Sequence, residues 1–533
     1  MAEPSGRSAH EPDACARARR LLTGNPGNAA AVGVFVVALL VYIRTMLPGP
    51  SFGDWAEMQF IPAELGVPHP TGYPLYILLG KAFSLLPVGS LAYRADLLSA
   101  FAAAGAAGTS VLISIRLGVR PLIAAIAGLS LAVTGTLWLE ATFSEMNGLH
   151  LFLMALVVHR ALVWRTERRP SDLLLGGLFA GLSVANHLLA ITVLPIIIGF
   201  VLIDARRTLA ERPALLVQAA LLFLAGASLY LLIPLRALAG PPAVYGPLTT
   251  WAGLSSLITG AQFRGDMHFG TLASLGTAVG ALPTVLRQIQ DRANVAFLVG
   301  GLIGGAILGL RDRWAAAMLG LVALVNVYFF ATYVGLAHYL LVTWLILAVW
   351  LSVAAEELIA VLGARLKAGV VGTQVLLVVL PIALAAGNWA THDQAANQVG
   401  ETFAAGVFAH LPPNAMLLTY WDVLTNLSYV HCVEGRRPDV SLRAYDSTAR
   451  VTCDPVLGSL EEVARSRPVF ALFAFGSELD PLRTSFNLVP GPVLALPYGD
   501  RGLDHSGTLY QLELKNAATT SSTPRPAQVG NDP

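Results

Sequence analysis

Long apolar runs separated by short polar turns dominate the chain between residues 30 and 386. An apolar run of about 20 residues is long enough to cross the hydrocarbon core of a bilayer as a helix. Applied along the chain, this criterion predicts eleven spans, at 30–47, 92–115, 121–139, 147–164, 174–185, 188–203, 214–235, 294–310, 314–334, 338–355 and 368–386. The runs 174–185 and 188–203 are short, so they are interpreted as two helices meeting at Asn186-His187 or as one broken helix.

Arginine and lysine are distributed so that every second turn is basic. Cytoplasmic turns of membrane proteins carry an excess of these residues. The pattern places the N-terminus in the cytoplasm, and it places the loop 48–91 and the C-terminal region outside a cytoplasmic (inner) membrane. The basic turns lie at 116–120, 165–169, 204–212, 311–313 and 364–367.

Two further apolar stretches, 73–87 and 271–290, are not counted as spans. If 73–87 crossed the membrane, every later arginine-rich turn would lie outside. We therefore expect 73–87 to form an interfacial helix on the outer face, and we interpret 271–290 in the same way.

Residues 389–515 have a different character, because charge rises and short β-rich runs alternate with helical stretches. This alternation predicts a small extracytoplasmic α/β domain. The β-rich runs are 415–421, 439–444, 468–475 and 509–514. The rest of the chain is divided into a transmembrane domain at 29–388 and two tails, 1–28 and 516–533, whose composition predicts disorder.

Composition supports the membrane assignment and excludes other classes. Only 13% of the residues are charged, against about 25% in a soluble domain. The net charge of +1 and the lack of a basic stripe argue against nucleic acid as a partner. The chain contains no GxGxxG, Walker A, CxxC or HExxH pattern, and we expect neither a metal nor a cofactor. Cys432 and Cys453 both lie in the outer region, where a disulfide is compatible with their position, but their spacing leaves its geometry open.

Candidate chemistry is concentrated in residues 52–76. Asp54 and Glu57 are three positions apart and therefore share one face of a helix. An acid beside a membrane span is costly unless it is solvated or paired, so one interpretation is a general base with a second acid that orients it or binds a cation. The alternative is a solvated acid that caps the helix beginning at Trp55. His69, held extended between two prolines, either contacts a phosphate or a polar substrate or has a structural role.

Two other outer turns add polar residues. Glu140 and Glu145 flank the turn at 140–146, where Glu145 either joins the acids of the first loop or stabilises the start of the next helix. Asn186 and His187 lie in the helix break, where a polar pair either lines a cavity or bonds between helices.

The remaining candidates are basic or aromatic. Arg236 ends an apolar run on the outer side, where a guanidinium group either pairs with a phosphate or anchors to a lipid headgroup. Arg264 follows in the same loop, and His338 opens a later span on the same face. Tyr73, from the aromatic run of the first loop, completes the substrate-binding candidates.

These residues lie in motifs that occur together in one family. The run GDWAEMQ…LGVPHPTGYPLYILLGKAFSLLP is followed, in order, by SEMNGLHLFLMAL, GLSVANHL, LYLLIPLRALAGPP, AHYLLVTWLILAVW and the stretch 411–440. Together these motifs, over about residues 50 to 440, resemble the signature of the domain of unknown function 2723. That family includes the transmembrane-protein-260-type protein O-mannosyltransferases of the GT-C superfamily.

The resemblance implies a GT-C-like α-helical polytopic membrane fold whose catalytic site lies in the first outer loop, 48–91. It implies a polyprenyl-phosphate sugar, typically mannose, as donor, and Asp54 as the catalytic base with Glu57 beside it. The chain departs from the usual family pattern in having Trp55 and Ala56 between the two acids.

We therefore predict an inverting glycosyltransferase that uses no cofactor. Its partners would be membrane lipid, a polyprenyl-phosphate sugar carrying mannose or another hexose, and a protein or glycan acceptor, such as a protein Ser/Thr hydroxyl. Two alternatives stay open. One is a transporter or flippase for a lipid-linked or anionic substrate, and the other is a non-catalytic membrane scaffold.

Overall fold

Helices make up most of the computed structural model, which describes residues 25–515. Within that range the description omits residues 247, 267–271, 294, 334–336, 366, 446–448, 451, 455–457 and 498–502. The predicted disordered tails, 1–28 and 516–533, lie outside the described residues except for 25–28. There the first helix begins at Pro26, because the Asn25 side chain caps the backbone amide of Gly27 at 3.0 Å.

Among the described residues, eighteen helices and one short strand precede the C-terminal region. They are α1 (Pro26–Thr45), α2 (Gly53–Glu64), α3 (Pro74–Ser84), α4 (Leu91–Arg116), α5 (Pro121–Ala132), α6 (Gly135–Thr142), α7 (Met146–Glu167), α8 (Pro170–Asn186), α9 (Ala190–Asp204), α10 (Arg206–Glu211), α11 (Pro213–Ala227), α12 (Leu232–Ala239), β1 (Val244–Tyr245), α13 (Trp251–Ile258), α14 (Leu272–Ala293), α15 (Val295–Arg311), α16 (Arg313–Thr332), α17 (Leu341–Arg365) and α18 (Lys367–His392). Short 3₁₀ turns lie at Ser228–Leu231, Ala261–Asp266 and Ala337–Leu340.

The chain is a multi-pass membrane protein, but the predicted count of eleven spans is not confirmed. Among the described residues, six helical runs are long and apolar enough to cross, and the pair α5–α6, bent by 66°, makes a seventh if it is counted as one span. The six runs are Pro26–Thr45, Leu91–Arg116, Met146–Glu167, Pro213–Ala239, Arg313–Thr332 and His338–Leu362. The predicted spans at 174–185, 188–203 and 294–310 form α8, α9 and α15, which have 17, 15 and 17 residues. At about 1.5 Å per residue these helices fall short of the roughly 30 Å hydrocarbon core.

The stretch 73–87 contains only the 11-residue helix α3, which is too short to span. Helix α3 packs on the membrane helices through Tyr76 and Ile77, which share a hydrophobic core with Leu98 and Ala102 of α4. A separate core joins α1, α4 and α6. There the indole Nε1 of Trp138 donates to Thr45 Oγ1 at 2.8 Å, and the Tyr42 hydroxyl donates to the Ala132 carbonyl at 2.7 Å.

The C-terminal region forms a five-stranded mixed sheet with short helices. The elements are α19 (Val399–Ala409), β2 (Met416–Thr419), α20 (Trp421–Ser428), β3 (Ser441–Ala444), β4 (Ala449–Arg450), α21 (Leu460–Ala464), β5 (Val469–Leu472), β6 (Phe486–Pro497) and β7 (Leu503–Leu514). The strand order is β3-β2-β5-β7-β6, with β2 parallel to β3 and β5, and with β7 antiparallel to β5 and β6.

Strand β6 was not predicted, because its sequence FNLVPGPVLALP contains prolines and a glycine that disfavour a strand. The structure accommodates them at a break in the β6–β7 register between Pro490 and Val493. The sheet region also shares a hydrophobic core with the first loop, in which Phe52 and Met58 pack with Phe403, Val423 and Leu427. This shared core brings α20 against α2.

Candidate active site

Helix α2 begins at a position where the backbone requires glycine. Gly53 has φ +56°, and a Cβ atom there would lie 2.7 Å from Asp422 Oδ1. The next residue, Asp54, lies in the first turn, where the helix dipole favours a negative charge. Glu57 follows one turn later on the same face, as the spacing predicted.

The two acids differ in exposure. The Asp54 side chain is 49% exposed, whereas the Glu57 side chain is fully buried. Only the carboxylate of Asp54 can therefore be reached from outside the protein.

His69 joins the two acids. Its Nδ1 hydrogen-bonds to Glu57 Oε2, and its backbone amide donates to Glu57 Oε1 at 2.9 Å. Its Nε2 lies 3.6 Å from Asp54 Oδ2 and 3.1 Å from the Tyr73 hydroxyl, which in turn donates to the Pro70 carbonyl at 2.8 Å. We call Asp54, Glu57 and His69 the acid–imidazole triad.

The imidazole of His69 lies between the two carboxyl groups of the triad and is positively charged at neutral pH. Burial acts to lower the pKa of His69, but the carboxylates of Asp54 and Glu57 outweigh it and raise that pKa to about 9. Burial raises the pKa of Glu57, and the adjacent imidazole opposes this. Burial also raises the pKa of Tyr73 well above its usual range, so its hydroxyl stays protonated, and its oxygen can accept a hydrogen bond from the N–H of His69 Nε2.

Trp421, the first residue of α20, reaches the triad from the C-terminal region. Its Nε1 donates to Asp54 Oδ1 at 2.7 Å, and its ring lies 5.6 Å from that of Tyr245. Sequence reasoning assigned 415–421 to a strand and missed this contact. The available signal was the family-like stretch 411–440.

Aromatic and imidazole rings continue inward from the triad. The ring of Tyr73 lies 5.4 Å from that of His187, which lies 5.6 Å from His150 and 6.5 Å from Tyr339. His338 follows, 4.4 Å from Tyr339. We call His150, His187 and His338 the histidine wall.

His150 was not singled out from the sequence. It is buried, and both of its ring nitrogens lack a hydrogen-bond partner among the described residues. A histidine inside the apolar run of the SEMNGLH motif was the signal that could have identified it.

The acids of the second outer turn lie against this wall. Glu140 Oε1 is 3.5 Å from His338 Nδ1, and Asn147 Nδ2 donates to both Glu145 Oε1 and Glu140 Oε2, at 2.9 and 3.2 Å. The structure thus groups Glu140, Glu145 and His338, as the shared outer face suggested.

Asn186 has a structural contact. Its Nδ2 donates to the Met146 carbonyl at 3.1 Å, which fastens the end of α8 to the start of α7. His187 Nδ1 accepts from the Leu189 amide at 3.1 Å, which fixes the orientation of the ring.

The structure does not bring Arg236 to Asp54. Its guanidinium group donates to the carbonyls of Leu65 and Glu64, at 2.8 and 3.1 Å, at the C-terminal end of α2. That end lies about 16 Å from Asp54 along the helix. The cation there satisfies the final carbonyls of α2 and favours the negative end of its dipole.

Arg264 lies on the rim of the site. It is exposed and donates to Thr259 Oγ1 at 2.8 Å. The same loop is tied to the site through Tyr245, whose hydroxyl donates to Gln262 Oε1 at 3.2 Å and whose ring packs on Trp421.

Sequence reasoning also missed a buried acid that supports α2. Asp96 of α4 accepts hydrogen bonds from Gln59 Nε2 at 3.2 Å and from Ser144 Oγ at 2.5 Å. These contacts tie α2 to α4 and to the turn before α7. An acid inside an apolar run was the available signal.

The triad residues also offer ligand atoms that lie within 4.8 Å of one another and could hold a metal ion. Both oxygens of Glu57 are, however, already hydrogen-bonded to His69. A metal would have to displace these bonds.

Cys432 and Cys453 are joined by a disulfide with a Cα–Cα distance of 5.7 Å. Neighbouring His431 and Asp454 are also paired, with Nε2 and Oδ1 3.2 Å apart. The disulfide and this pair close a loop that follows α20, and the two cysteines are 21 positions apart in sequence.

The comparisons with known proteins confirm the family resemblance. Residues 54–210 match the family model described as the Protein O-mannosyl-transferase TMEM260 N-terminal domain. The match begins at Asp54 and covers the triad and two residues of the histidine wall.

Two relatives carry the same description. Protein O-mannosyl-transferase TMEM260 of Mus musculus is 27% identical over 443 residues, which are 77% of this chain and 62% of the mouse protein. Protein O-mannosyl-transferase tmem260 of Dictyostelium discoideum is 38% identical over 64 residues, which are 12% of this chain and 8% of that protein. The matched part of the chain thus spans less than two thirds of either relative.

The fold is that of ArnT from Cupriavidus metallidurans. The crystal structure of ArnT bound to undecaprenyl phosphate matches with a TM-score of 0.58 at 14% identity, covering 90% of this chain and 97% of that chain. The apo structure matches with a TM-score of 0.57 over the same shares.

Proposed function

We propose that this protein is an inverting glycosyltransferase that moves a sugar, mannose or another hexose, from a polyprenyl phosphate to an acceptor hydroxyl, such as that of a protein Ser or Thr. The observation that carries the proposal is the asymmetry of the triad. One acid is half-exposed and held at a defined position, while the other is buried and bonded to the imidazole that lies between them. The names of the matched relatives and the fold shared with ArnT support the same reaction class.

Asp54 is the general base in this proposal. Trp421 holds Oδ1, which leaves Oδ2 to take the proton of the acceptor hydroxyl. The acceptor oxygen then bonds to the anomeric carbon from the face opposite the phosphate. The bond between that carbon and the phosphate oxygen breaks, and its electron pair leaves with the phosphate. One displacement with a general base inverts the configuration.

Glu57 and His69 position the base rather than react. Glu57 is closed to solvent and both its oxygens are engaged by His69. The imidazolium, 3.6 Å from Asp54 Oδ2, attracts the carboxylate and fixes its orientation until the acceptor arrives. The acceptor hydroxyl can then approach Asp54 from the exposed side.

The leaving phosphate is proposed to sit against the histidine wall. Imidazole N–H groups of the wall and the hydroxyl of Tyr339 can donate hydrogen bonds to the developing phosphate charge. Arg264 on the rim is a further phosphate contact. Arg236, which is engaged at the far end of α2, is not part of this proposal.

The reaction is proposed to take place on the extracytoplasmic side of the cytoplasmic membrane, where the basic turns place the first loop. The C-terminal sheet would bind the protein or glycan acceptor, because its helix α20 lies against the base. A lipid monophosphate leaving group requires only cationic and hydrogen-bonding partners, so no metal or other cofactor is proposed.

The test is transfer of radiolabelled mannose from a polyprenyl phosphate to a Ser/Thr-containing acceptor peptide by the purified full chain. Asp54→Asn keeps the acceptor for the Trp421 hydrogen bond but cannot take a proton. We expect the rate to fall about 10²- to 10⁴-fold, the usual contribution of a general base. Glu64→Gln, at the other end of the same helix, is the matched control and should transfer at the wild-type rate.

A second readout is the anomeric configuration of the product, measured by NMR. Inversion relative to the donor is expected. Retention, or full activity of a folded Asp54→Asn variant, would contradict the proposed mechanism. Movement of the intact labelled lipid across a vesicle bilayer without transfer would instead support the flippase alternative.

A further inference from the structure

A cavity lies away from the active site, between α7, α8, α9 and α11. It encloses about 470 Å³, within the range of ligand pockets. Its walls are almost entirely apolar and include Ala180, Ile197, Val201, Leu216 and Phe223. The rim residues Ile198 and Leu202 are exposed, so the cavity opens towards the lipid phase.

The cavity lies towards the membrane face opposite the active site. It is lined by Asp172 and Gly176 near the start of α8, whereas Asn186 at the other end of that helix adjoins the histidine wall. Asp172 and Asn186 are separated by about 21 Å along the helix. The cavity is therefore separate from the proposed donor site.

One end of the cavity carries excess positive charge. The buried carboxylate of Asp172 is shared by two guanidinium groups, Arg160 at 2.8 Å and Arg169 at 3.1 Å. Arg169 also pairs with Glu167, which in turn pairs with Arg116. Three arginines therefore share two carboxylates, so this network has a formal net charge of +1.

Unsatisfied donors lie at the same end. Trp164 lines the cavity and is 1% exposed, and its Nε1 has no hydrogen-bond partner among the described residues. The buried Nε of Arg160 likewise lacks one. Buried N–H groups in native proteins normally have an acceptor, so both indicate an oxygen-bearing group beside the cavity.

We propose that this cavity binds an anionic glycerophospholipid from the leaflet opposite the active site. The acyl chain would fill the apolar part, and the phosphate would accept hydrogen bonds from Arg160 Nε and Trp164 Nε1. Basic pockets between transmembrane helices bind anionic lipid headgroups in this way. Neither the chemistry at Asp54 nor the identity of the donor enters this inference.

The structure offers a cavity-filling variant with a matched control. A Cβ at Gly176 would meet only Arg160 Cβ, at 3.7 Å, so Gly176→Phe places a ring in the cavity without a backbone clash. A Cβ at Gly199 of α9 meets nothing within 4 Å, and this residue lies outside the cavity. Gly199→Phe therefore makes the same chemical change on the lipid-facing surface.

The experiment is native mass spectrometry of the detergent-purified full chain after addition of phosphatidylglycerol or phosphatidylcholine with identical acyl chains. The wild type and Gly199→Phe are expected to retain one phosphatidylglycerol, whereas Gly176→Phe is expected to lose it with an unchanged melting temperature in lipid-free detergent. Arg160→Gln should keep the acyl cavity but reduce the preference for phosphatidylglycerol about fivefold, the value of one cation near a membrane surface.

Three outcomes would overturn the proposal. They are equal retention of phosphatidylcholine by the wild type, retention of lipid by Gly176→Phe at the wild-type level, and displacement of phosphatidylglycerol by an equimolar polyprenyl phosphate. Asp54→Asn should retain the phospholipid as the wild type does, so this result stands apart from the test of transfer.

Discussion

Asp54 and Asp172 are both acids held by cations, at opposite ends of the helical bundle, but the cations differ. Asp172 is 2% exposed and accepts from two guanidinium groups, which stay charged at every accessible pH. Asp54 is half-exposed and has one imidazole at 3.6 Å and one indole donor. The first arrangement saturates a carboxylate, whereas the second leaves one oxygen available and places a titratable group beside it. The partners of each aspartate thus determine whether its carboxylate has a structural role or a chemical one.

The contrast between the two acids can first be tested by measuring stability as a function of pH. The folded pKa of His69 is raised from 6.5 to about 9, so its stabilising effect is complete below pH 6.5 and is lost as the pH rises through 9. The displacement corresponds to about 3 kcal/mol. Melting curves in detergent between pH 6 and 10 should therefore show a steeper loss of stability for the wild type than for His69→Gln. Parallel curves would show that His69 is not protonated in the fold.

Replacing the titratable partner should also affect the proposed reaction. His69→Gln keeps a hydrogen-bonding side chain but removes the positive charge beside Asp54, and we expect transfer to slow roughly 100-fold, as when one electrostatic contact of a reacting centre is removed. The effect should fall on kcat more than on KM, because the side chain orients the base. His410→Gln, at an exposed position after α19, is the control and should leave both constants unchanged.

A substitution at Asp172, at the other end of the bundle, should lower the stability of the fold and leave the rate of sugar transfer unchanged. Asp172→Asn removes the charge that two arginines share, and we expect a loss on the order of 2 kcal/mol of stability, typical of a hydrogen bond to a charged group. This would be measured by thermal unfolding, with transfer assayed below the transition. A large loss of activity in the folded variant would mean that the two ends of the bundle are coupled.

The smallest expected effect concerns the second partner of Asp54. Trp421→Phe keeps the ring against Tyr245 but removes the N–H that holds Oδ1, and we expect transfer to slow about tenfold, the equivalent of roughly 1.4 kcal/mol. Trp389→Phe, on α18, is a matched control. An unchanged rate would show that α2 alone fixes the carboxylate.

The sequence was sufficient for features set by local pattern. The i, i+3 spacing placed Asp54 and Glu57 on one face, and the prolines around His69 indicated an extended segment close to them. The helical membrane fold and the family resemblance also followed from patterns along the chain. These predictions depend on neighbours within a few positions, and the chain itself supplies them.

Features set by distant contacts were not predictable in the same way. Trp421 reaches Asp54 across 367 positions, and no local pattern encodes that contact. Arg236 was predicted to contact a phosphate or a lipid headgroup, but which carbonyls its long side chain would reach depends on the packing of α12 against α2. The predicted count of eleven spans is not confirmed, because apolarity alone does not show where α8, α9 and α15 end.

The hydrogen bond between Trp421 and Asp54 also sets an order of events during biosynthesis. The first loop leaves the ribosome early, but Asp54 lacks one of its two partners until another 367 residues have been translated. At about 5–20 residues per second this takes roughly 20–70 s. A nascent chain halted before α20 would therefore hold an incomplete site, and so would a chain truncated by a premature stop codon. Only a folded polypeptide that extends through α20 would present the finished carboxylate to a substrate.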